Sequence, residues 1–339
     1  MAASILTSPN QAKRPRFPRS GTAVAVAVTL GLAACGSGGE DPSTEGQAGA
    51  PDPNTFPAVE GQTLVEFAES AGLSNEVVVS PAGQTYEPGR NRFSFGIFNV
   101  DGSEINDADV ALYAAHGPTG IAKGPFPARI ESLQTRPPFM AETTAAESQP
   151  VTVTYVSDIR FDRPGEWRLA AVMRQDGESI TGLMPSIKVG DYSEIPDVGE
   201  SPPRIHTPTA LDVDDLSEID TRVPHDTMHD HDLYDVIGER PTVLLFATPA
   251  LCMSRVCGPM VDIAEQVHSD SPDEVAFIHM EVYNDNDPNK GIRPELRAYG
   301  LKTEPWLFVM DGSGRISTRI EGAFSVADLE AAVEKATGG

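Results

Sequence analysis

The feature that most restricts the fold of this chain is an apolar run at residues 241–247, with two cysteines placed soon after it. The run reads Pro-Thr-Val-Leu-Leu-Phe-Ala, and its length and composition are typical of a fully buried strand. Cys252 and Cys257 follow this strand. Apolar residues then recur at the spacing of one helical face, at Met260, Ile263, Ala264 and Val267. A thiol pair between a buried strand and a helix indicates redox or soft-metal chemistry.

The rest of the C-terminal region alternates between strand and helix signals. A short helix is predicted from Pro294, and a final helix from Ser325, where Asp328 supplies the partner of a capping box. Further strands are predicted at residues 275–282, 306–310 and 315–320. The predicted order after residue 222 is therefore βαβαββα.

This order, with the thiol pair after the first strand and Glu304-Pro305 just before the third, resembles the thioredoxin-like fold. The resemblance covers about residues 222–337. It implies thiol–disulfide exchange at the cysteine pair and a cis-proline loop at Pro305 facing the dithiol. Thioredoxins have two residues between their cysteines, whereas this chain has four, as some atypical peroxiredoxins do. The copper-handling Sco proteins have three.

The spacing of the two cysteines limits where they can lie. On a regular helix, residues five apart point about 140° from each other. Their Cα atoms would also lie too far apart for a disulfide. We therefore expect the helix to begin near Pro259, residues 253–257 to form an irregular turn, and Cys252 to lie in the loop before it, free to approach Cys257. Cys252 is the expected attacking thiol and Cys257 the resolving one, but a helix N-terminus would favour a Cys257 thiolate, so the reverse assignment stays open. Arg255 would favour either thiolate, and Glu304, if it faces the pair, would oppose it.

Three alternatives to this redox interpretation remain. A copper-binding module would use Cys252, Cys257 and His229, the last from a segment of three histidines and one methionine at residues 225–231. That segment also carries aspartates and precedes the first core strand, so we expect a solvated loop and neither metal nor other cofactor. His268 and His279 are expected to be ordinary structural histidines.

A peroxidase would need Thr or Ser three residues before the attacking cysteine, where this chain has Pro249, with Thr248 one position away. A non-catalytic binding lipoprotein with a merely local disulfide is the third alternative. None of these alternatives is removed by the sequence alone.

The N-terminus predicts export and lipid attachment. Basic residues between 13 and 19 precede an apolar stretch at 21–34, which is shorter than the about 20 residues of a membrane-spanning helix. The stretch ends in Leu-Ala-Ala-Cys35, which resembles the lipobox of bacterial lipoproteins. We expect residues 1–34 to be a signal peptide and Cys35 to carry lipid. The protein would then lie on the outer face of the bacterial cytoplasmic membrane.

The charge balance is strongly acidic, with 50 Asp and Glu against 25 Lys and Arg. Residues 1–34 contain four of the basic residues and no acidic residue, so the exported chain is more acidic still. Such a surface repels nucleic acid. The expected partners are protein or small thiol and disulfide substrates, together with the membrane that holds the lipid.

A second folded part is predicted before the cysteine region. Short strand signals alternate with turns, and the phrase at residues 160–171 looks like the late hairpin of immunoglobulin-like bacterial domains. The strand candidates are residues 76–79, 92–98, 110–114, 151–156, 167–173 and 180–189. The expected organisation is a disordered tether at 35–60, an all-β immunoglobulin-like sandwich at 61–195, a linker at 196–221 and a thioredoxin-like α/β domain at 222–339.

Overall fold

Two β-sheets organise the chain in the computed structural model, which describes residues 49–175, 177–252 and 254–338. The first sheet is antiparallel throughout and contains β1 Val77–Pro81, β2 Gly89–Asn99, β3 Asp109–His116, β4 Lys123–Ser132, β5 Val153–Phe161, β6 Gly165–Gln175, β7 Glu178–Leu183 and β8 Ile187–Val189. Its order is β1-β2-β5-β4-β3-β6-β7, and β8 pairs with β6. Helix α1, Leu64–Ser70, packs against this sheet.

The first sheet curls until its two edges meet. A Cβ built on Gly182 in β7 would lie 2.7 Å from the side chain of Val79 in β1, so only glycine allows this approach. The interior is filled by large side chains with almost no exposure, among them Phe93, Phe95, Ile97, Tyr155, Phe161 and Trp167. The sheet is therefore nearly closed into a barrel around one apolar core.

The expected antiparallel all-β character is confirmed, while the arrangement of the strands differs from two facing sheets. Strand β3 pairs with both β4 and β6, which joins the two halves into one continuous sheet. Sequence patterning missed β4, because Pro125 and Pro127 interrupt its strand signal. The single strand expected at residues 180–189 is two strands, β7 and β8.

The second sheet is mixed and has the order β10-β9-β11-β12. Its strands are β9 Thr242–Phe246, β10 Ala276–Met280, β11 Trp306–Met310 and β12 Ile316–Glu321. Strands β9 and β10 are parallel, and the other pairings are antiparallel. The remaining helices are α2 Glu142–Ala145, α3 Leu233–Val236, α4 Cys257–Asp270, α5 Pro294–Ala298 and α6 Val326–Thr337. From β9 onward the order βαβαββα is as predicted.

Helices cover both faces of the mixed sheet. Alternate residues of each strand point to opposite faces, so Val243 and Leu245 pack against α4 and α6, whereas Leu244 and Phe246 pack against α3 and α5. Each of β9, β10 and β11 is consequently buried along its whole length. Ser325 caps α6 with Asp328 in the predicted capping box.

The segment at residues 196–221 runs along the mixed sheet. The amide of Gly199 donates to the carbonyl of Ile316, and the amide of Ile316 donates to the carbonyl of Glu200. Near the end of this segment, Ile219 and Asp220 are buried. This segment therefore carries polar side chains into the interior beside β10.

Polar contacts connect the large sheet and its loops to the helices around the mixed sheet. Arg92 of β2 contacts Glu131 of β4 at 2.9 Å and Asp328 of α6 at 2.6 Å. Arg222 pairs with Asp262 of α4 at 2.9 Å and donates to the carbonyl of Phe139. The large sheet thus contacts the helices that flank the cysteine loop.

No helix within the described residues has both the length and the apolar composition needed to cross a bilayer. The predicted signal peptide, Cys35 and most of the predicted tether lie outside the described residues.

Candidate functional site

A disulfide joins Cys252 and Cys257 at the carboxyl end of β9, with their Cα atoms 5.9 Å apart. Cys252 lies in the loop after the strand, and Cys257 is the first residue of α4. The expectation that both residues could not share a regular helix is therefore confirmed. The helix begins two residues earlier than predicted, so Pro259 occupies its third position, where a missing amide hydrogen is tolerated in the first turn.

The two sulfurs have different environments. Cys257 is fully buried among the apolar residues between the mixed sheet, α4 and α6. Cys252 is only partly buried, and its Sγ lies 3.1 Å from Oγ of Ser254. An external disulfide can therefore reach Cys252 more readily than Cys257.

The Glu304–Pro305 peptide bond is cis, as the resemblance implied. Pro305 itself is buried, and its carbonyl accepts a hydrogen bond from the amide of Gly322. The preceding side chain extends toward the disulfide, so that Oε2 of Glu304 lies 3.5 Å from Sγ of Cys257. Glu304 therefore faces the sulfur pair, which the sequence left open.

Burial raises the pKa of the Glu304 carboxyl to about 7. The backbone amide of Thr248 opposes this rise by donating to Oε2 at 2.8 Å, whereas the nearby Glu281 carboxyl adds to it. The hydroxyl of Thr248 accepts a hydrogen bond from the amide of Val282, so the Thr248 side chain has a structural partner. A carboxyl with a pKa near neutrality beside a thiol pair is suited to exchanging protons with it.

The large sheet holds the cysteine loop in place. Arg255 has a φ of 62°, its guanidinium donates to the carbonyl of Gln149 at 2.7 Å, and it lies 5.3 Å from the ring centre of Phe98. The guanidinium of Arg255 therefore contacts Phe98 of β2 and Gln149 in the loop before β5. The expectation that Arg255 assists a thiolate stays untested. A narrow cleft next to the loop is lined by Ser254, Val256, Phe98 and further residues of the large sheet.

His229 does not join the sulfur pair. The donor atoms of Cys252, Cys257 and Glu304 lie within 4.8 Å of one another, whereas those of His229 form a separate group with Asp220, Asp226 and His279. The interpretation of residues 225–231 as a solvated loop is wrong for Asp226, Met228 and His229, which are buried. The loop folds inward because its polar side chains find partners on β10.

His268 and His279 were both expected to be ordinary structural histidines, and the structure gives them different surroundings. His279 is not isolated, because its Nδ1 lies 2.7 Å from Oδ2 of Asp226. His268 lies at the surface near Thr227 and the ring of Phe277. Sequence reasoning missed Asp220, Asp226 and His279 as a group. The available signal was a histidine and a glutamate, His279 and Glu281, inside an otherwise apolar strand prediction.

No protein-family model matches this chain, and no curated protein matches it either. Among solved structures, a thioredoxin-like superfamily protein, SPOA0173, is similar to it with 18% identity and a TM-score of 0.27. The similarity covers 32% of this chain and 87% of that protein.

Proposed function

We propose that this protein is a membrane-anchored, extracytoplasmic thiol–disulfide oxidoreductase that works through Cys252 and Cys257. The observation that carries the proposal is the disulfide itself. One sulfur is accessible in a loop, the other is buried at the start of a helix, and an ionisable carboxyl lies beside the buried one.

The reduced protein would act in two steps. The Cys252 thiolate attacks one sulfur of a substrate disulfide, forming a mixed disulfide and releasing the other substrate sulfur as a thiolate that takes up a proton. Cys257 then loses its proton and attacks Sγ of Cys252. The enzyme disulfide forms, the second substrate thiol leaves, and two electrons have passed to the substrate. The reverse sequence oxidises a substrate dithiol.

Glu304 would handle the proton of Cys257. Its Oε2 is 3.5 Å from the sulfur, and its carboxyl titrates near neutral pH. In the second step the carboxylate accepts the thiol proton, and in the reverse direction the carboxylic acid returns it. Pro305, the next residue, would orient the substrate backbone beside the sulfurs, as the thioredoxin-like resemblance implies.

The large sheet would form one wall of the substrate site. Phe98, Val151 and Val153 line the cleft beside Ser254 and Val256, so a bound polypeptide would contact both the large sheet and the cysteine loop. Lipid on Cys35 would anchor this assembly to the membrane, and the acidic surface would keep it soluble in the exported compartment.

Insulin disulfide reduction with a chemical electron donor tests the proposal. We expect turnover in the unsubstituted chain and loss of turnover in Cys252→Ser. Cys35→Ser is the matched control, since it removes the third cysteine and leaves the 252–257 pair; it should retain turnover and move to the soluble fraction of expressing bacteria. Absence of turnover in both the reducing and the oxidising direction would refute the proposal and favour a binding lipoprotein.

The copper alternative has one specific observation behind it, the grouping of Cys252, Cys257 and Glu304 within 4.8 Å. Soft Cu(I) prefers thiolate and imidazole to carboxylate, and His229 belongs to the other group. Stoichiometric Cu(I) retention by the reduced chain, lost in Glu304→Ala and unaffected in His229→Ala, would favour this alternative over exchange.

A further inference from the structure

A second cluster of ionisable side chains lies in the interior and takes no part in the proposed exchange reaction. It consists of Asp220 and Asp226 from the loop before β9, His229 from the same loop, and His279 from the middle of β10. The exposed fractions of these residues are 0%, 4%, 3% and 1% respectively. Two carboxyls and two imidazoles are therefore held together away from solvent.

The distances between their donor atoms match those of a small coordination site. Nε2 of His229 lies 3.3 Å from an oxygen of Asp226 and 3.5 Å from an oxygen of Asp220. Nδ1 of His279 lies 2.7 Å and 4.0 Å from oxygens of the same two carboxyls. In a tetrahedral site with metal–ligand bonds of about 2.0 Å, neighbouring ligands are roughly 3.3 Å apart.

Outer contacts orient three of the four side chains. The amides of Arg222 and Asp226 each donate to one oxygen of Asp220, and the amide of Met228 donates to Asp226. Nε2 of His279 lies 3.0 Å from the carbonyl oxygen of Ala247. A carbonyl only accepts, so this nitrogen carries hydrogen and Nδ1 faces the carboxyls. Metal-binding histidines are oriented by the same kind of contact.

The fourth side chain lacks the partners that a buried imidazole requires. Within the described residues, neither ring nitrogen of His229 makes a hydrogen bond of acceptable geometry, and the carboxyl oxygens nearest to Nε2 lie 3.3 Å and 3.5 Å away, although the side chain is only 3% exposed. Its Nε2 nevertheless points between the two carboxyls. Buried polar groups are normally paired, and an orphaned one calls for a missing ion or water.

We propose that Asp220, Asp226, His229 and His279 form a closed binding site for one divalent cation of the zinc class. Two carboxylates and two neutral imidazoles balance the charge of such an ion. Nitrogen and oxygen donors without sulfur suit zinc or cobalt rather than Cu(I). Four protein ligands and full burial leave no position for substrate, so the ion is structural. It ties the loop at residues 220–229 to β10, next to the strand that ends at the cysteine loop.

The test uses the full chain with all three cysteines, Cys35, Cys252 and Cys257, replaced by serine, so that no thiol can bind metal. The protein is unfolded in denaturant, refolded with cobalt chloride, freed of unbound metal and measured for cobalt content and visible absorption. We expect about one equivalent of cobalt with the intense bands of a four-coordinate ion. Adding His229→Asn should weaken cobalt binding at least about tenfold, whereas His231→Asn, two residues away and outside the cluster, should not.

Absence of bound cobalt after refolding, or equal binding with His229→Asn, would overturn the proposal. A buried substitution such as His229→Asn can prevent folding, so a second measurement uses the cysteine-free protein with His229 intact. Its thermal unfolding midpoint is measured once loaded with zinc and once after a chelator has removed the zinc. We expect a higher thermal unfolding midpoint with zinc, as for any ligand that binds only the folded state. Equal midpoints would contradict the site even if the variant does not fold. Because the cysteines have been replaced, the result of these metal-binding measurements does not depend on whether the protein carries out thiol–disulfide exchange.

Discussion

Oε2 of Glu304 lies 3.5 Å from Sγ of Cys257 and accepts a hydrogen bond from the backbone amide of Thr248. One half-buried carboxyl thus connects the sulfur of Cys257, the proposed resolving residue, to the end of β9. The ionisation of Glu304 should consequently affect both the stability of the fold and the chemistry of the pair.

Replacing Glu304 with glutamine should change how stability depends on pH. Burial raises the pKa of Glu304 to about 7 from its ordinary value of 4.5, so the folded state binds the proton more tightly than the unfolded state. This stabilisation is complete below pH 4.5 and is lost as the pH rises through 7. Between pH 5 and 8 the unsubstituted protein should lose up to about 3 kcal/mol relative to Glu304→Gln.

Urea unfolding of the oxidised protein at pH 5 and pH 8 measures this difference. Glu334→Gln, an exposed position on α6, is the control and should follow the unsubstituted protein at both pH values. Parallel pH dependence in the protein and in Glu304→Gln would show that Glu304 titrates normally.

Removing Cys257 should trap a mixed disulfide on Cys252. Cys252 is partly accessible and Cys257 is fully buried, so the first attack on a substrate should come from Cys252. In Cys257→Ser the second step cannot occur, and intact-mass spectrometry should detect the substrate adduct. In Cys252→Ser no adduct should accumulate. An adduct that forms only in Cys252→Ser would reverse the two roles.

Replacing Arg255 with glycine should increase the mobility of the cysteine loop. Glycine adopts the positive φ of this position without strain, so the substitution removes only the guanidinium contacts to Gln149 and Phe98. We expect faster reduction of the 252–257 disulfide by dithiothreitol, because the loop is held less firmly. Phe98→Leu should act in the same direction, and the double variant should show less than the summed effect. Unchanged reduction rates in both single variants would show that the contacts of Arg255 with Gln149 and Phe98 do not restrain the loop.

Replacing Arg92 with leucine should weaken the connection between the two sheets. Its guanidinium pairs with Glu131, which is 1% exposed, and with Asp328, which is 20% exposed, so the variant leaves one buried and one partly buried carboxyl without that partner. We expect a loss of about 2–3 kcal/mol in the free energy of unfolding at pH 7.

Arg90→Leu is the matched control for this measurement. Arg90 lies two residues earlier on the same strand, and its pair with Asp158 is exposed, so its loss should have little effect. Equal destabilisation by the two substitutions would show that burial of the Arg92 pairs is unimportant.

Much of the second sheet was predictable because its signals are local. The apolar run at residues 241–247, the helical spacing after Pro259 and the capping box at Ser325 each depend on neighbours along the chain. Excluding both cysteines from a common helix needed only helix geometry, and the structure agrees. The first sheet was less predictable, because two prolines concealed β4 and the pairing of β3 with β4 and β6 is set by contacts distant in sequence.

The sequence by itself determined which residues form the sulfur pair, since a close thiol pair after a buried strand is a local pattern. Only the tertiary structure decided what surrounds them. Glu304 reaches Cys257 across 47 positions, and His279 meets Asp226 across 53. Nothing local distinguishes a solvated aspartate or histidine from one that a distant strand buries. Burial and partner choice depend on packing between segments, and packing assembled both the carboxyl beside the disulfide and the second, buried cluster.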